Sequence, residues 1–387
     1  MKTSLFPVTV LLDHDAPSET FIRREIDLLR QRGWTLHVRY LTQLSFRSCP
    51  SSHRLRFMRV ALGRILAMSL RSPLNALRIL KRLPQAAALV HDFAETKSGL
   101  VWAQFAGITA DLAGIAAATL KRPWLCSVHA HDVFTPSRGV LACRLRDAQR
   151  IVACSQAAAD AVLACGVERE RVEVIHHGIP EVAHGLPAAP SGNIIFSAGR
   201  LEPKKGFDVL LRACALLHAR NVPFTCRIAG TGSQKDGLQK LAKHLGIGAK
   251  VMFVDWLAPE QVLDAIRDAS VVALASRRMP DGDRDGIANI VLEALAVGTP
   301  VVTTTAGGVG EVIRDNINGR LVPPDDPEAL ACALADTLGC QDDRQRFAAA
   351  GRQTVAECFD PDANIRKLEN CFLICWERRA SALQRKE

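Results

Sequence analysis

The chain has 387 residues, of which 48% are hydrophobic, with a mean hydropathy of +0.07 and a formal net charge of +9. That length exceeds one ordinary core and suits two packed, soluble domains of about 150 to 200 residues each. No apolar run approaches the roughly 18 residues that span a bilayer, and the apolar stretch of the N-terminal MKTSLFPVTVLLDHD is too short, and too soon closed by acids, for a signal peptide; a cytoplasmic protein is expected.

Residues 8–12 read as a first strand, followed by a helix at 21–32 with Ser18 as its cap, Glu19 nearby and Gly33 as its stop. Residues 36–40 form a second strand. The next segment, 45–83, carries Arg47, Arg54, Arg56, Arg59, Arg64, Arg71, Arg78, Lys81 and Arg82 and no acid. These nine charges equal the net charge of the whole chain, so the remainder balances. On a helical wheel over 55–71, Leu55, Phe57, Met58, Leu62, Ile65, Leu66 and Met68 share one side, while Arg56, Arg59, Arg64 and Arg71 share the other. Such a helix either lies on an anionic membrane surface or turns a solvated basic face outward. Nucleic acid is not an expected partner, because aromatic residues make up only 5% of the chain and no recognition motif accompanies the charge.

Residues 99–105 and 124–128 are apolar enough to be buried strands, separated by a helix at 108–120, and short strands follow at 150–153 and 172–175. The Pro-, Ala- and Gly-rich run at 180–192 is the natural linker. Beyond it comes a second alternating series, with strands at 194–198, 224–229, 251–254, 271–275 and 301–304 and helices at 207–219, 235–245, 259–268 and 287–297. This alternation predicts two doubly wound parallel sheets. The domains are expected at 1–185 and 193–355, joined by 186–192, with a helical segment at 356–387 packing back on the first domain. The 12 cysteines are scattered and form no C-x-x-C pair, so neither a disulfide framework nor a zinc site is expected.

Four features would meet at the carboxyl edge of the second sheet. NIIFSAGRLEPKKG runs from a strand through Gly199 to Arg200 and Lys205 at a strand-to-helix junction, where ligands bind in open α/β sheets and helix N-termini favour phosphate. Two cations there look like a diphosphate clamp, although surface charge is the bland alternative. Gly230-Thr231-Gly232 follows a strand and would let backbone N–H groups approach a phosphate or base, a weak signal by itself. Asp285 and Glu293 stand eight positions apart around a helix start, where Asp285 suits a cap or first-turn acid. The turn Thr305-Ala306-Gly307-Gly308 follows another strand.

GRLEPKKG, the acid-x7-Glu pair in DGIANIVLEALAVGTPVV, and GGVGEVIRDNINGRLVPP together resemble the donor-binding half of the retaining GT-B glycosyltransferases of family 4. In the first half, PSETFIRREI, VWAQFA and SVHAHDVF resemble the branch of that family that builds exopolysaccharide, colanic-acid-like polymers and lipopolysaccharide. The resemblance implies a GT-B fold of two Rossmann-like domains facing an interdomain cleft. It implies transfer of a sugar, with retention, from a nucleotide-diphosphate sugar to a lipid-linked or cell-surface polysaccharide acceptor. Arg200 and Lys205 would stabilise the departing diphosphate, Glu293 would hold the ribose hydroxyls and Asp285 would contact the donor sugar. Gly199, Gly230, Gly232 and Ile290 would line the donor site, and His129 would reach across to the transferred sugar. Asp132 either caps a helix or orients His129, and Glu19 with Thr20 either borders the acceptor phosphate or caps a helix. The chemistry needs no protein nucleophile, and neither a cofactor nor an essential metal is expected.

The chain departs from the family at Asp285, where Glu is usual, at Gly310, and in DAPSET, which replaces an N-terminal glycine-rich loop. Asp281 to Gly286 mimics the opening of a calcium loop, but that loop needs Glu at its twelfth position, which is Leu292 here. Two other classes fit the same features: a non-catalytic partner subunit and a nucleotide-sugar isomerase. A nicotinamide dehydrogenase is disfavoured, because no G-x-G-x-x-G follows the first strand. The expected site of action is the inner face of the cytoplasmic membrane, reached through the basic segment.

Overall fold

A computed structural model describes residues 6–15, 20–44, 47–179 and 192–384, with side chains to 377. Glu19, the Ser18 cap and the linker residues 180–191 lie outside the described residues. Chain contacts divide the molecule into two units, Met1–Gly178 with Pro361–Glu387, and Ile179–Asp360.

The first unit is a parallel sheet of β1 (Val8–Leu12), β2 (Leu36–Tyr40), β3 (Leu100–Gln104), β4 (Trp124–Val128), β5 (Arg150–Ala153) and β6 (Val172–Val174), in the order β2-β1-β3-β4-β5-β6. Every residue of β1, β3 and β4 is buried, as strands covered on both faces must be. One face packs on the helix Ile108–Leu120, whose near-continuous apolar sequence is buried almost all round. The other face carries the helices Thr20–Gln31 and Pro361–Gln384. Ile365, Leu368, Phe372 and Cys375 of the latter join Val8, Val10, Leu100 and Trp102 in one core cluster. Glu369 fixes this helix by accepting from Arg32 at 2.9 and 3.0 Å and from the Trp34 indole at 2.9 Å.

The second unit repeats the scheme with β7 (Ile194–Ala198), β8 (Thr225–Ala229), β9 (Val251–Val254), β10 (Val271–Leu274), β11 (Val301–Thr304) and β12 (Arg320–Val322), in the order β12-β11-β10-β7-β8-β9 and all parallel. The strand order reverses at β7 and β10, so the loops leaving those two strands flank the point where open sheets bind ligands. Two rounds of βα alternation thus form two Rossmann-like sheets.

The basic segment folds differently from the wheel. The helix Arg54–Ser69 does form, but its inward residues are Phe57, Ala61, Arg64 and Met68. Leu55, Leu62 and Leu66, assigned to the apolar side, are 87%, 67% and 61% exposed. Arg64, assigned to the solvated side, is 3% exposed. The reason lies outside the segment. Arg64 donates to Asp147 at 3.0 Å and to the Arg144 carbonyl at 2.6 Å, and stands 3.6 Å from Asp111. Gly114 leaves room for the guanidinium, since a Cβ there would lie 3.0 Å from its Nη1. With Arg64 turned inward the helix rotates, and the stripe Leu55, Met58, Leu62, Leu66 faces out. Leu70, and then Leu74, Leu77 and Leu80 of the helix Pro73–Lys81, are exposed as well.

Candidate functional site

In the second unit the chain leaves β7 at Gly199, passes Arg200 and makes a short turn, Pro203–Lys205, before the helix Phe207–Ala219. The Arg200 side chain is 61% exposed and donates to Glu202 at 2.8 Å. Lys205 points inward, with its ammonium 2.9 Å from Asp285 Oδ2, and the Ser276 hydroxyl donates to the same oxygen at 2.7 Å. Burial alone would raise the Asp285 pKa. The Lys205 charge and its hydrogen bond, the Ser276 hydroxyl and the Lys204 charge outweigh burial and hold the carboxyl below its ordinary range.

Asp285 is therefore the counter-ion of Lys205 and not a helix cap, which corrects the sequence reading. The helix starts later, at Asn289, with Ala288 in the cap position. The sequence reading also missed how firmly the segment after β10 is tied to the clamp. Lys204 pairs with Asp283 at 3.1 and 3.2 Å, and Arg277 pairs with Asp208 at 2.7 and 2.9 Å. Asp283 and Asp285, two acids of the calcium-loop mimic, are thus engaged by lysines. The turn after β11 props the same segment from below. Gly308 donates to the Gly286 carbonyl at 3.0 Å, and a Cβ on Gly307 would strike the Asp285 carbonyl.

The glycines near the clamp supply room. The N–H groups of Gly199 and Gly230 bond the carbonyls of Ala229 and Val254, both at 3.0 Å, so of the N–H groups expected to approach a phosphate or base that of Gly230 is already engaged within the sheet. A Cβ on Gly230, at φ 139°, would strike the Gly199 carbonyl, and one on Gly232 would lie 2.5 Å from the Leu201 carbonyl. The loops after β7 and β8 can lie this close only with glycine in both places. Ile290 is buried in the apolar cluster beside β10, and Glu293 is half-buried on the helix Asn289–Val297.

In the first unit, the carboxyl ends of four neighbouring strands present Gln104 (β3), His129 (after β4), Cys154 (after β5) and His177 (three residues past β6). His129 Nε2 lies 3.3 Å from Gln104 Oε1, and His177 Nδ1 lies 2.8 Å from Glu25 on the helix Thr20–Gln31. The imidazoles stack at 5.3 Å, with Phe105 against His129 and Phe21 against His177. Burial, and secondarily the charge of His177, push the His129 pKa well below the usual imidazole value, so this ring is neutral. Burial also opposes charge on His177, but hydrogen bonds with Cys154 and Glu25, together with the Glu25 charge, hold its pKa up to about 10.

Asp132 accepts the backbone N–H groups of Ala106 and of His129, the latter at 2.8 Å. Of its two sequence readings the geometry matches capping, since the carboxylate holds the backbone of His129 and not its ring. Burial raises its pKa to about 6 against those N–H bonds. Thr20 opens the helix Thr20–Gln31, and His131 is exposed. The cluster of His129, Cys154 and His177 has no signature in sequence, because three separate strand ends assemble it.

Two family models lie end to end on the chain. Glycosyltransferase Family 4 matches residues 18–181, and Glycosyl transferases group 1 matches residues 181–354. The chain is 32% identical over 207 residues to WcaL of Salmonella typhimurium, named as a colanic acid biosynthesis glycosyltransferase; the match covers 52% of this chain and 51% of that protein. It is 35% identical over 216 residues to the D-inositol 3-phosphate glycosyltransferase of Streptomyces griseus, covering 50% and 44%. It spans about half the length of these curated relatives. Among solved structures, Anabaena HepE in complex with UDP and glucose matches with a TM-score of 0.71 at 19% identity, over 95% of this chain and 99% of that one. The solved fold matched over nearly the whole length gives the architecture, and with a family model on each Rossmann-like half the chain belongs to the GT-B glycosyltransferases related to group 1 and Family 4.

Proposed function

We propose that the protein transfers a sugar, with retention, from a nucleotide-diphosphate sugar to a saccharide acceptor carried on a lipid or a growing polysaccharide. The observation that carries this reading is Lys205, a largely covered ammonium at the switch point of the second sheet, on the loop that also carries the exposed Arg200 and paired with a carboxylate that a diphosphate can replace. Leaving-group charge is what such a reaction must stabilise, and fixed cations in a partly dry site do so efficiently. As the family resemblance implies, the acceptor hydroxyl attacks from the face the diphosphate leaves, and a donor phosphate oxygen takes its proton. Glu293 is assigned to the ribose, Asp285 to orienting Lys205 and meeting the sugar, and neutral His129 to a hydroxyl of the transferred sugar. Thr20, with Glu19, is assigned to the acceptor side. HepE was solved with UDP, which makes UDP-sugars the first donors to assay.

The exposed leucine stripe, flanked by the exposed Arg54, Arg59, Arg71, Arg78 and Lys81, supports a peripheral position on an anionic membrane, with leucines entering the interface and cations meeting headgroups. Among the described residues no helix is long and apolar enough to cross a membrane. The deciding experiment is release of nucleoside diphosphate by wild type and Lys205→Ala with membrane-derived acceptor. Transfer should fall by about 10²- to 10³-fold, as when one stabilising group of a transition state is removed. Undiminished transfer would sink the assignment.

A further inference from the structure

His129, Cys154 and His177 each offer one ligand atom, and these atoms lie within 4.8 Å of one another. His129 is buried and the other two are half-buried, at the carboxyl ends of β4, β5 and β6. Each imidazole has its other nitrogen occupied as an outer-shell partner would occupy it. Glu25 stands 2.8 Å from His177 Nδ1, and Gln104 stands 3.3 Å from His129 Nε2. Such contacts fix ring orientation and designate the remaining nitrogen, Nε2 of His177 and Nδ1 of His129, as the ligand. One thiolate and two imidazoles are a donor set for a borderline-soft cation, and they discriminate against magnesium and calcium, which take oxygen ligands. With Zn–S near 2.3 Å and Zn–N near 2.0 Å, closing the three atoms on an ion needs about 1 Å of side-chain movement and leaves a fourth position open.

We propose that His129, Cys154 and His177 form an inhibitory site for Zn²⁺, which ties up the His129 imidazole when it binds. Loading exchanges the protons of the Cys154 thiol and of His177 for the metal, with no change of oxidation state. The site itself stands on first-unit residues alone. The inhibition rests on the role proposed above for His129.

The test uses the full chain stripped of metal. Cobalt(II) should give a thiolate-to-cobalt charge-transfer band that one equivalent of zinc removes. Cys154→Ser should lose that band and bind zinc at least about 100-fold more weakly against a chromophoric chelator, and Glu25→Gln should lose about tenfold or more, the usual cost of removing an outer-shell partner. In the wild type, zinc should protect Cys154 from alkylation, read by peptide mass spectrometry, which needs no variant to fold. A band that persists in Cys154→Ser, or equal alkylation with and without zinc, overturns the site. Zinc at saturation should suppress transfer in the wild type and spare Cys154→Ser; zinc bound with transfer undiminished overturns the inhibitory role. Absent transfer by metal-free wild type would count against the proposed function, and the cobalt band would still decide the site.

Discussion

Replacing Lys205 by Met keeps the aliphatic stem and removes the charge that balances Asp285. The two side chains are 14% and 12% exposed and 2.9 Å apart, so the aspartate would be left buried with the Ser276 hydroxyl and the Lys204 charge for support. Removing one partner of a buried pair costs about 3 to 5 kcal/mol, and the remaining hydroxyl and the Lys204 charge argue for the lower end. About 3 kcal/mol in a unit of this size corresponds to a melting point lower by about 6 to 12 °C. Adding Asp285→Asn removes the stranded charge, and the double variant should recover about 2 kcal/mol relative to Lys205→Met. The pH dependence separates this account from simple loss of packing. In the wild type the folded-state pKa of Asp285 is depressed, so its stabilising contribution is complete above the ordinary carboxylate pKa and disappears only as pH falls through the depressed value. In Lys205→Met burial acts without Lys205 and lifts that pKa above its unfolded value, so the aspartate destabilises at neutral pH and is relieved by protonation. The melting gap between wild type and Lys205→Met should therefore narrow between pH 7 and pH 5. Calorimetry of the full chain, following the transition of the Ile179–Asp360 unit, reads all three quantities. A gap that does not change with pH, or a double variant less stable than Lys205→Met, would refute the reasoning.

Three further outcomes are expected. Asp285→Asn releases Lys205 and should tighten UDP binding by up to about tenfold, or 1.4 kcal/mol, in titration calorimetry while transfer slows; weaker UDP binding would show that the carboxylate's orienting of Lys205 outweighs its competition for the ammonium. Leu62→Glu with Leu66→Glu should cut retention on anionic vesicles by well over tenfold, since burying one leucine side chain contributes about 1.5 to 3 kcal/mol, while 0.5 M salt, with a Debye length of about 4 Å, should weaken wild-type retention without abolishing it. If salt alone strips the wild type completely, charge and not the leucine stripe holds it. Arg64→Met should destabilise the chain by about 3 kcal/mol in denaturant unfolding, because the buried Asp111 keeps only one of two guanidinium neighbours, Arg144 at 3.2 Å, and the Arg144 carbonyl loses its donor, whereas exposed Arg59→Met should stay within about 0.5 kcal/mol; equal effects would mean the inward guanidinium is misassigned.

The parallel strands were legible because burial on both faces writes them as short continuous apolar runs, and the alternation with helices fixed the fold class before any contact was known. The loop that carries the two cations was legible for a similar reason: Gly199, Arg200 and Lys205 lie within seven residues at a strand end. What stayed hidden depends on residues distant in the chain. The inward turn of Arg64 is set by Asp111 and Asp147, 47 and 83 positions away, and a wheel drawn on one helix has no access to them. The grouping of His129, Cys154 and His177 follows from three adjacent strands ending at one edge, so no spacing announces it.

Asp285 shows how a local reading and a distant contact combine. The sequence marks it as the shorter of two possible acids, and the structure shows where its carboxylate sits, 2.9 Å from Lys205 and at the floor of a loop propped by Gly307 and Gly308. A carboxylate so placed holds the ammonium in position while the donor is absent, and its depressed pKa keeps it charged at neutral pH. A diphosphate brings more negative charge than one carboxylate, so in the proposed function it would take Lys205 from Asp285 and leave the aspartate to accept a hydrogen bond from a sugar hydroxyl. On this view the acid at 285 couples donor binding to sugar recognition, and lengthening it in Asp285→Glu should alter the preference among donor sugars more than the affinity for UDP itself. Competition assays with a panel of UDP-sugars would read the difference, and a uniform loss across the panel, matched by a loss of UDP affinity, would mean that Asp285 serves Lys205 alone.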